Sequence, residues 1–154
     1  MNKKILFHLW AVILFFTLIT IVKRAFSLNI LVFWVGGLIG SFLPFLDHFI
    51  YIYFLKSEEQ SSSQSPNLIF HTIYFQAIFL ILTFLVVSSS SNLLGKGIVL
   101  AFSLSLLVDQ LVDLLTVGNL TSWSPTMAIF TDKNKSTLYV LSLLAGVIFL
   151  AFFI

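Results

Sequence analysis

Five long apolar segments, separated by shorter polar stretches, make up most of the chain. An apolar helix of about 20 residues, at 1.5 Å per residue, covers the ~30 Å hydrocarbon layer of a membrane. In lipid the backbone must satisfy its own hydrogen bonds, so each segment is expected to be a helix. The predicted spans are residues 5–22, 30–55, 68–87, 98–117 and 137–154. The pattern therefore predicts an all-α, polytopic transmembrane helix bundle with about five membrane spans, in which residues 1–154 form a single integral membrane domain.

The second apolar segment carries small residues and a helix-bending residue. It contains Gly36, Gly37, Gly40 and Pro44. Glycines let a neighbouring backbone approach a membrane helix closely, and a proline bends a helix. We therefore expect this segment to pack tightly against another helix and to bend near Pro44.

Two of the polar connections differ in character. Residues 56–67, "KSEEQSSSQSPN", are polar and rich in serine, which is the composition of a solvated loop. The connection before the last span contains Trp123 and Pro125 and is too apolar for a free loop. We expect part of it to lie at the membrane interface or to fold back over the bundle, with Trp123 either as an interfacial anchor or as part of a lid.

Composition agrees with a membrane protein. Of the 154 residues, 59% are hydrophobic and 9% are charged, whereas soluble proteins are roughly 45 to 50% apolar and about 25% charged. The formal net charge is only +2 and the basic residues are scattered, so the expected partner is the lipid bilayer and not nucleic acid. The chain has no cysteine, so any metal site must use histidine and carboxylate side chains.

The basic residues also indicate the orientation in the membrane. Cytoplasmic loops usually carry an excess of Lys and Arg. The N-terminal side has Lys3, Lys4, Lys56, Lys133 and Lys135, and the other side has Lys23, Arg24 and Lys96. This difference predicts a cytoplasmic N-terminus.

Ionisable residues lie inside the apolar segments, where a charge costs roughly 2.5 to 3.5 kcal/mol and is a functional hypothesis by default. Asp47 and His48 lie in the second span, and His71 lies at the start of the third. The polar loop joins those two ends, so the three side chains are expected on one side of the membrane. The fourth span returns to that side and carries Asp109 and Asp113 near its end. The topology therefore places all five residues in one leaflet.

Two of these carboxylates are close enough to repel one another. Asp109 and Asp113 are four residues apart on one helical face, so they need a cation between them or a proton on one of them. A divalent metal would supply that charge, because Asp and neutral His are ligands for zinc, manganese or iron. His8 falls in the same leaflet, but beside Lys3 and Lys4 it can instead reach the headgroups. A structural hydrogen-bonded set, or proton carriers, remain alternatives for all these residues.

Three segments resemble the motifs of a known family. "GGLIGSFLPFLDH" is similar to its Gly-rich helix ending in Pro-Asp-x-Asp-His, "PNLIFHT" to its His-Arg-x-x-x-His-Ser segment, and "VDQLVDLLTVG" to its Ser-His-x-x-x-Asp-x-x-Thr-x-x-Gly helix. The following "WSP" resembles the Trp-Pro that closes the third motif. The family is the YdjM-like group of inner-membrane metal-dependent hydrolases, which is LexA-regulated in some bacteria and distantly related to zinc phospholipase C and P1-type nucleases.

The resemblance implies a metal site in a membrane-embedded hydrolase that acts on a phosphoester or another lipid-borne bond. By match to the motifs, the metal ligands are Asp47, His48, His71 and Asp113. Asp109 stands where the family has a His and is the candidate catalytic base. The implied cofactor is a divalent metal, zinc in the first place and manganese or iron otherwise, and the implied location is the bacterial cytoplasmic (inner) membrane.

The chain also departs from the family pattern. Phe45 replaces the first Asp of Pro-Asp-x-Asp-His, and Pro66 and Asn67 replace the His and the Arg of the second motif. We therefore expect one metal ion and not a multi-metal centre. The alternative function is that of a non-catalytic membrane protein, either a degenerate family member with a packing role or a small ion-handling transporter.

Overall fold

The computed structural model describes residues 3–23, 27–50, 53, 69–121, 123 and 131–154, and within these it describes residues 3–5, 48 and 50 by their backbone only. The described part folds into five α-helices and one 3-10 turn and contains no strand. The helices are α1 (Lys3–Val22), α2 (Asn29–Ile50), α3 (Ile73–Ser89), α4 (Leu93–Thr116) and α5 (Lys133–Ala151), with the 3-10 turn at Ile69–His71. The all-α prediction is therefore confirmed.

Three of these helices are long and apolar enough to cross a membrane, namely Asn29–Asp47 within α2, the whole of α4 and the whole of α5. The apolar stretches of α1 and α3, Leu6–Val22 and Ile73–Ser89, are shorter. Length and composition thus agree with an integral membrane protein in which α2, α4 and α5 span the bilayer.

Several helices begin at capping residues that differ from the predicted span limits. Asn92 accepts hydrogen bonds from the backbone N–H groups of Leu94 and Gly95, so α4 begins at Leu93 and not at residue 98. Asp132 caps α5 in the same way, and Thr72 caps α3 after the 3-10 turn. Side-chain oxygens at these positions satisfy N–H groups that have no partner inside the helix.

α4 is the centre of the bundle. Its residues 99–110 are all buried, and it contacts each of the other four helices. A helix that is covered on every side must be apolar on every side, as α4 largely is. At its flank, Phe16 of α1 stacks on Phe33 of α2 with ring centroids 4.4 Å apart, and both side chains are fully buried.

α2 and α4 pack through glycines. A Cβ added at Gly36 would overlap the carbonyl oxygen of Leu94, and one added at Gly40 would overlap that of Ile98. From the other helix, a Cβ at Gly97 would overlap the carbonyl oxygen of Phe33. The tight packing expected of the glycines of the second segment is therefore observed, and its partner is α4. The contact fixes the rotation and register of α4 relative to α2.

A row of polar side chains lies between α3 and α4. Gln110 Nε2 donates to Gln76 Oε1 at 2.7 Å, and Tyr139 of α5 donates its hydroxyl proton to the same oxygen at 2.6 Å. Seven residues after Gln76 on α3 and seven before Gln110 on α4, the hydroxyl oxygens of Thr83 and Ser103 are 3.1 Å apart. In lipid such interhelical hydrogen bonds hold helices together, each contributing roughly 0.6 kcal/mol.

Candidate functional site

Four ionisable side chains meet at one end of the bundle, and we call them the His/Asp cluster: His8 of α1, Asp47 of α2, His71 of the 3-10 turn and Asp109 of α4. α1 contributes from its start, α2 and α4 from near their ends, and the turn lies directly before α3. Chain reversal at each connection therefore brings the four residues to the same side. The predicted candidates Asp47, His71 and Asp109 are brought together, and His8 joins them.

Asp109 is the centre of this cluster. Its Oδ1 lies 3.2 Å from His8 Nε2, and its Oδ2 lies 3.7 Å from His71 Nε2. Two ligands of one tetrahedral zinc ion, each bonded at ~2.1 Å, are separated by ~3.4 Å. The distances from the Asp109 oxygens to His8 Nε2 and to His71 Nε2 each differ from this ligand–ligand separation by only a few tenths of an ångström.

His8 is fully buried, yet neither of its ring nitrogens makes a hydrogen bond within the described structure. The 3.2 Å approach of Nε2 to Asp109 is an ion-pair distance, but the contact does not have the geometry of a hydrogen bond. A buried polar group without a partner costs about 1 to 3 kcal/mol, so the His8 imidazole is suited to bind an ion or a water molecule. His8 therefore faces the cluster and does not reach the headgroups.

Asp47 fixes the position of His71. Its Oδ1 accepts the backbone N–H of Ile69 at 3.1 Å, and its Oδ2 accepts that of Phe70 at 2.7 Å. The same Oδ2 lies 3.3 Å from His71 Nδ1. A buried carboxylate thus holds both the 3-10 turn and the imidazole, which leaves His71 Nε2 directed at Asp109.

Two aromatic rings border the cluster. Phe45 contacts the ring of His8 edge to face with centroids 5.4 Å apart, so it occupies the space beside this imidazole. Trp123 is buried with Leu120 against Val140, and its ring centroid is 5.9 Å from that of His71. This part of the connection folds back over the bundle, whereas Pro125 lies outside the described residues.

His71 lies in the 3-10 turn, outside the five helices, and its proton affinity is set by its neighbours. Burial lowers its pKa, but the carboxylates of Asp109 and Asp47 outweigh burial and raise the pKa from 6.5 to about 9. In the metal-free protein at neutral pH, the His71 imidazole is therefore protonated and pairs with both carboxylates.

This shift predicts how the stability of the metal-free protein depends on pH. Because the folded-state pKa lies above the unfolded value of about 6.5, the stabilisation is fully present below pH 6.5 and is lost as the pH rises to about 9. The unfolding temperature in detergent with a chelator should fall over that interval. In His71→Gln, the fall should be much smaller; an equal fall in both proteins would contradict this assignment.

Two further predicted ligands are His48 and Asp113. His48 lies in α2, but its side chain is outside the described part. Asp113 lies one turn beyond Asp109 on α4 and is half-buried. Among the described side chains, no group of three or more His, Asp or Glu residues already surrounds a common point for a metal ion. The cluster is a chain of pairs, and it would need side-chain rotations to enclose an ion.

The polar row next to the cluster was not part of the sequence-based hypothesis. Gln76 follows His71 by five residues, and Gln110 directly follows Asp109. Both glutamine side chains are buried. The signal available in the sequence was the seven-residue spacing from Gln76 to Thr83 and from Ser103 to Gln110. A seven-residue spacing keeps side chains on one face of a helix.

Comparisons of the chain with family models, with curated proteins and with solved structures found no match.

Proposed function

We propose that this chain is a membrane-embedded, metal-dependent hydrolase of the bacterial inner membrane, with its N-terminus in the cytoplasm and a phosphoester or another lipid-borne bond as its target. The observation that carries the proposal is the buried His8 imidazole, which makes no hydrogen bond to the described residues and lies 3.2 Å from the Asp109 carboxylate. A metal ion between them would satisfy the imidazole and neutralise the acid.

The residues that would hold the ion are His8, His71 and Asp109. The two imidazoles flank the carboxylate at 3.2 and 3.7 Å, which supports their role as neighbouring ligands. His48 and Asp113 stay ligands predicted by the match to the motifs. Asp47 is a positioning residue, because it binds the other ring nitrogen of His71 and so fixes the ring, as carboxylates do around zinc-bound histidines.

A divalent metal at this position supplies Lewis acidity and a water of lowered pKa. The chain itself would supply a base, since the Asp109 carboxylate could accept the proton of the attacking water. The membrane-facing apolar surface of the surrounding helices supports a substrate that reaches the cluster from the lipid phase.

Phe45 stands where the YdjM-like motif that this chain resembles has a further carboxylate. The family motif has Asp where this chain has Phe45, and in the structure that side chain contacts His8. A carboxylate at this position would therefore lie next to the same imidazole.

Replacing Phe45 with aspartate is predicted to increase zinc affinity by about tenfold, because a carboxylate beside His8 adds a ligand or fixes the imidazole that binds the ion. Isothermal titration of the detergent-purified protein measures the change. Phe45→Asn is the matched control, since it has the same size and polarity without the charge, and it should leave affinity near that of the wild type. Equal affinities in Phe45→Asp and Phe45→Asn would contradict the prediction.

Hydrolysis is tested with zinc-loaded protein reconstituted into phospholipid vesicles, with release of the cleaved headgroup as the readout. We expect product formation that EDTA stops and that His71→Ala abolishes. Product no higher than that of His71→Ala would refute the hydrolase, while zinc binding measured on the same samples shows separately whether the metal site exists.

A non-catalytic role is the second candidate, and the hydrogen bonds of Asp47 favour it. Asp47 already accepts two backbone N–H groups and contacts His71, so the cluster also ties the 3-10 turn to α2. In that case, His71→Ala would lower the unfolding temperature equally with and without zinc. In the hydrolase, the loss would be larger when zinc is present.

A further inference from the structure

A groove opens between the second halves of α1 and α5, at the end of the bundle opposite the His/Asp cluster. Its volume is about 350 Å³. Six apolar side chains form most of its walls: Phe15, Leu18, Ile19, Val22, Leu144 and Ile148. From residue 15 to residue 23 the groove follows α1 for ~12 Å, close to the ~15 Å of hydrocarbon in one leaflet. Its length and lining therefore fit an alkyl chain.

A positive charge lies at the outer end of this groove. Lys23 lines it, is exposed, and donates from Nζ to the carbonyl oxygen of Phe152 at 2.7 Å. An ammonium group has three donors, so this bond leaves two of them for a ligand. At the same end of the bundle, Lys96 Nζ donates to the carbonyl oxygen of Phe153 at 3.2 Å, and Arg24 follows Lys23 in the sequence.

The acidic residues lie elsewhere in the chain. Four of the six, Asp47, Asp109, Asp113 and Asp132, belong to the ends of helices at the opposite side of the bundle. The other two, at positions 58 and 59, belong to the connection between α2 and the 3-10 turn. The end with the groove is thus basic by sequence, and its charge is complementary to an anionic headgroup.

We propose that the groove binds one acyl chain of an anionic phospholipid, whose phosphate pairs with Lys23. The alkyl chain fills the space between α1 and α5 within one leaflet, and the headgroup lies at the level where α1 and α5 end. This site is separate from the His/Asp cluster and does not depend on the proposed hydrolysis.

A second groove in the same bundle provides an internal comparison. It lies between α3 and α5, has a volume of about 300 Å³, and includes Leu80, Phe84 and Gly146 in its walls. Within the described part of the chain, no charged side chain lines this groove. The two grooves are similar in size and apolar character, so they should differ in their preference for lipid charge.

Native mass spectrometry of the full chain, released from nanodiscs with equal amounts of phosphatidylglycerol and phosphatidylcholine, tests the site. The wild type should retain phosphatidylglycerol about fivefold over phosphatidylcholine, because the attraction between one lysine and an anionic membrane surface corresponds to a preference of this size. Lys23→Gln should remove this preference. Ala151→Phe, which fills the groove while keeping Lys23, should reduce the retained phosphatidylglycerol.

Gly146→Phe is the matched control, because it fills the second groove and should leave the phosphatidylglycerol preference unchanged. The proposal is overturned if Lys23→Gln retains the preference, or if Ala151→Phe retains as much phosphatidylglycerol as the wild type. It is also overturned if the groove belongs to a second copy, which would appear as a lipid-free dimer that Ala151→Phe dissociates.

Discussion

Replacing Asp109 with asparagine is expected to weaken zinc binding by at least about 100-fold, since the loss of an outer-shell partner alone costs 10- to 100-fold. Asp109 is the shared neighbour of His8 and His71, and asparagine keeps its shape without its charge. Without this carboxylate, no negative charge between the two imidazoles would balance the positive charge of the zinc ion. Isothermal titration with zinc in detergent measures the effect.

The matched control for this substitution is Asp132→Asn. It removes the same charge from an exposed position, and asparagine caps a helix as well as aspartate does, so α5 should be unaffected. Asp113→Asn, one turn along α4, should weaken zinc binding less than Asp109→Asn if Asp109 is the central ligand. If Asp109→Asn binds zinc as the wild type does, the ion lies elsewhere.

Gly97→Ala is expected to destabilise the fold by about 3 kcal/mol, at the upper end of typical overpacking effects. The added methyl group would overlap the carbonyl oxygen of Phe33, and a backbone atom cannot rotate away as a side chain can. α2 and α4 must then separate along their whole glycine contact. Unfolding monitored by circular dichroism in mixed micelles measures the loss.

Gly146→Ala is the control in a helix of the same bundle. A Cβ added at Gly146 meets no atom of the described residues within 4 Å, so this substitution should stabilise α5 by up to about 1 kcal/mol through helix propensity. Opposite signs for the two Gly→Ala changes are the expected result. Equal effects would show that the α2–α4 contact is looser than the structure has it.

The fold class could be predicted from the sequence because apolar segments of membrane length have few alternatives to the helix. The starts of the helices could not be predicted as well. Asn92 and Asp132 lie in polar stretches with several possible caps, and only the hydrogen bonds to the following N–H groups decide which residue begins the helix. The glycine pairing of α2 with α4 likewise depends on which helices become neighbours.

Which residues form the His/Asp cluster could be predicted in part, because the order of the spans decides which residues reach the same side of the bundle. Alternating spans return Asp47, His71 and Asp109 to one side, and the structure brings them together. The sequence could not decide between Asp109 and Asp113 as the central acid, because both share a helical face. The rotation of α4 decides this, and the Gly97 contact with α2 sets that rotation.

His8 illustrates a limit of sequence reasoning. A histidine near two lysines at the start of an apolar helix has the same pattern whether it faces headgroups or the protein interior. In the structure, His8 is in phase with the buried Val12, Phe16 and Ile19 of α1. α1 is apolar on all sides, so this buried face could be recognised only after Phe16 was seen to stack on Phe33.

X-ray absorption at the zinc edge, on protein loaded with zinc in detergent and freed of unbound metal, tests the metal site most directly. We predict a first shell of nitrogen and oxygen alone at about 2.0 to 2.2 Å, with the outer-shell scattering of two imidazole rings, one of which is lost in His8→Ala. Zinc that is not retained, or a bound ion without imidazole scattering, would contradict a metal centre built on His8, His71 and Asp109.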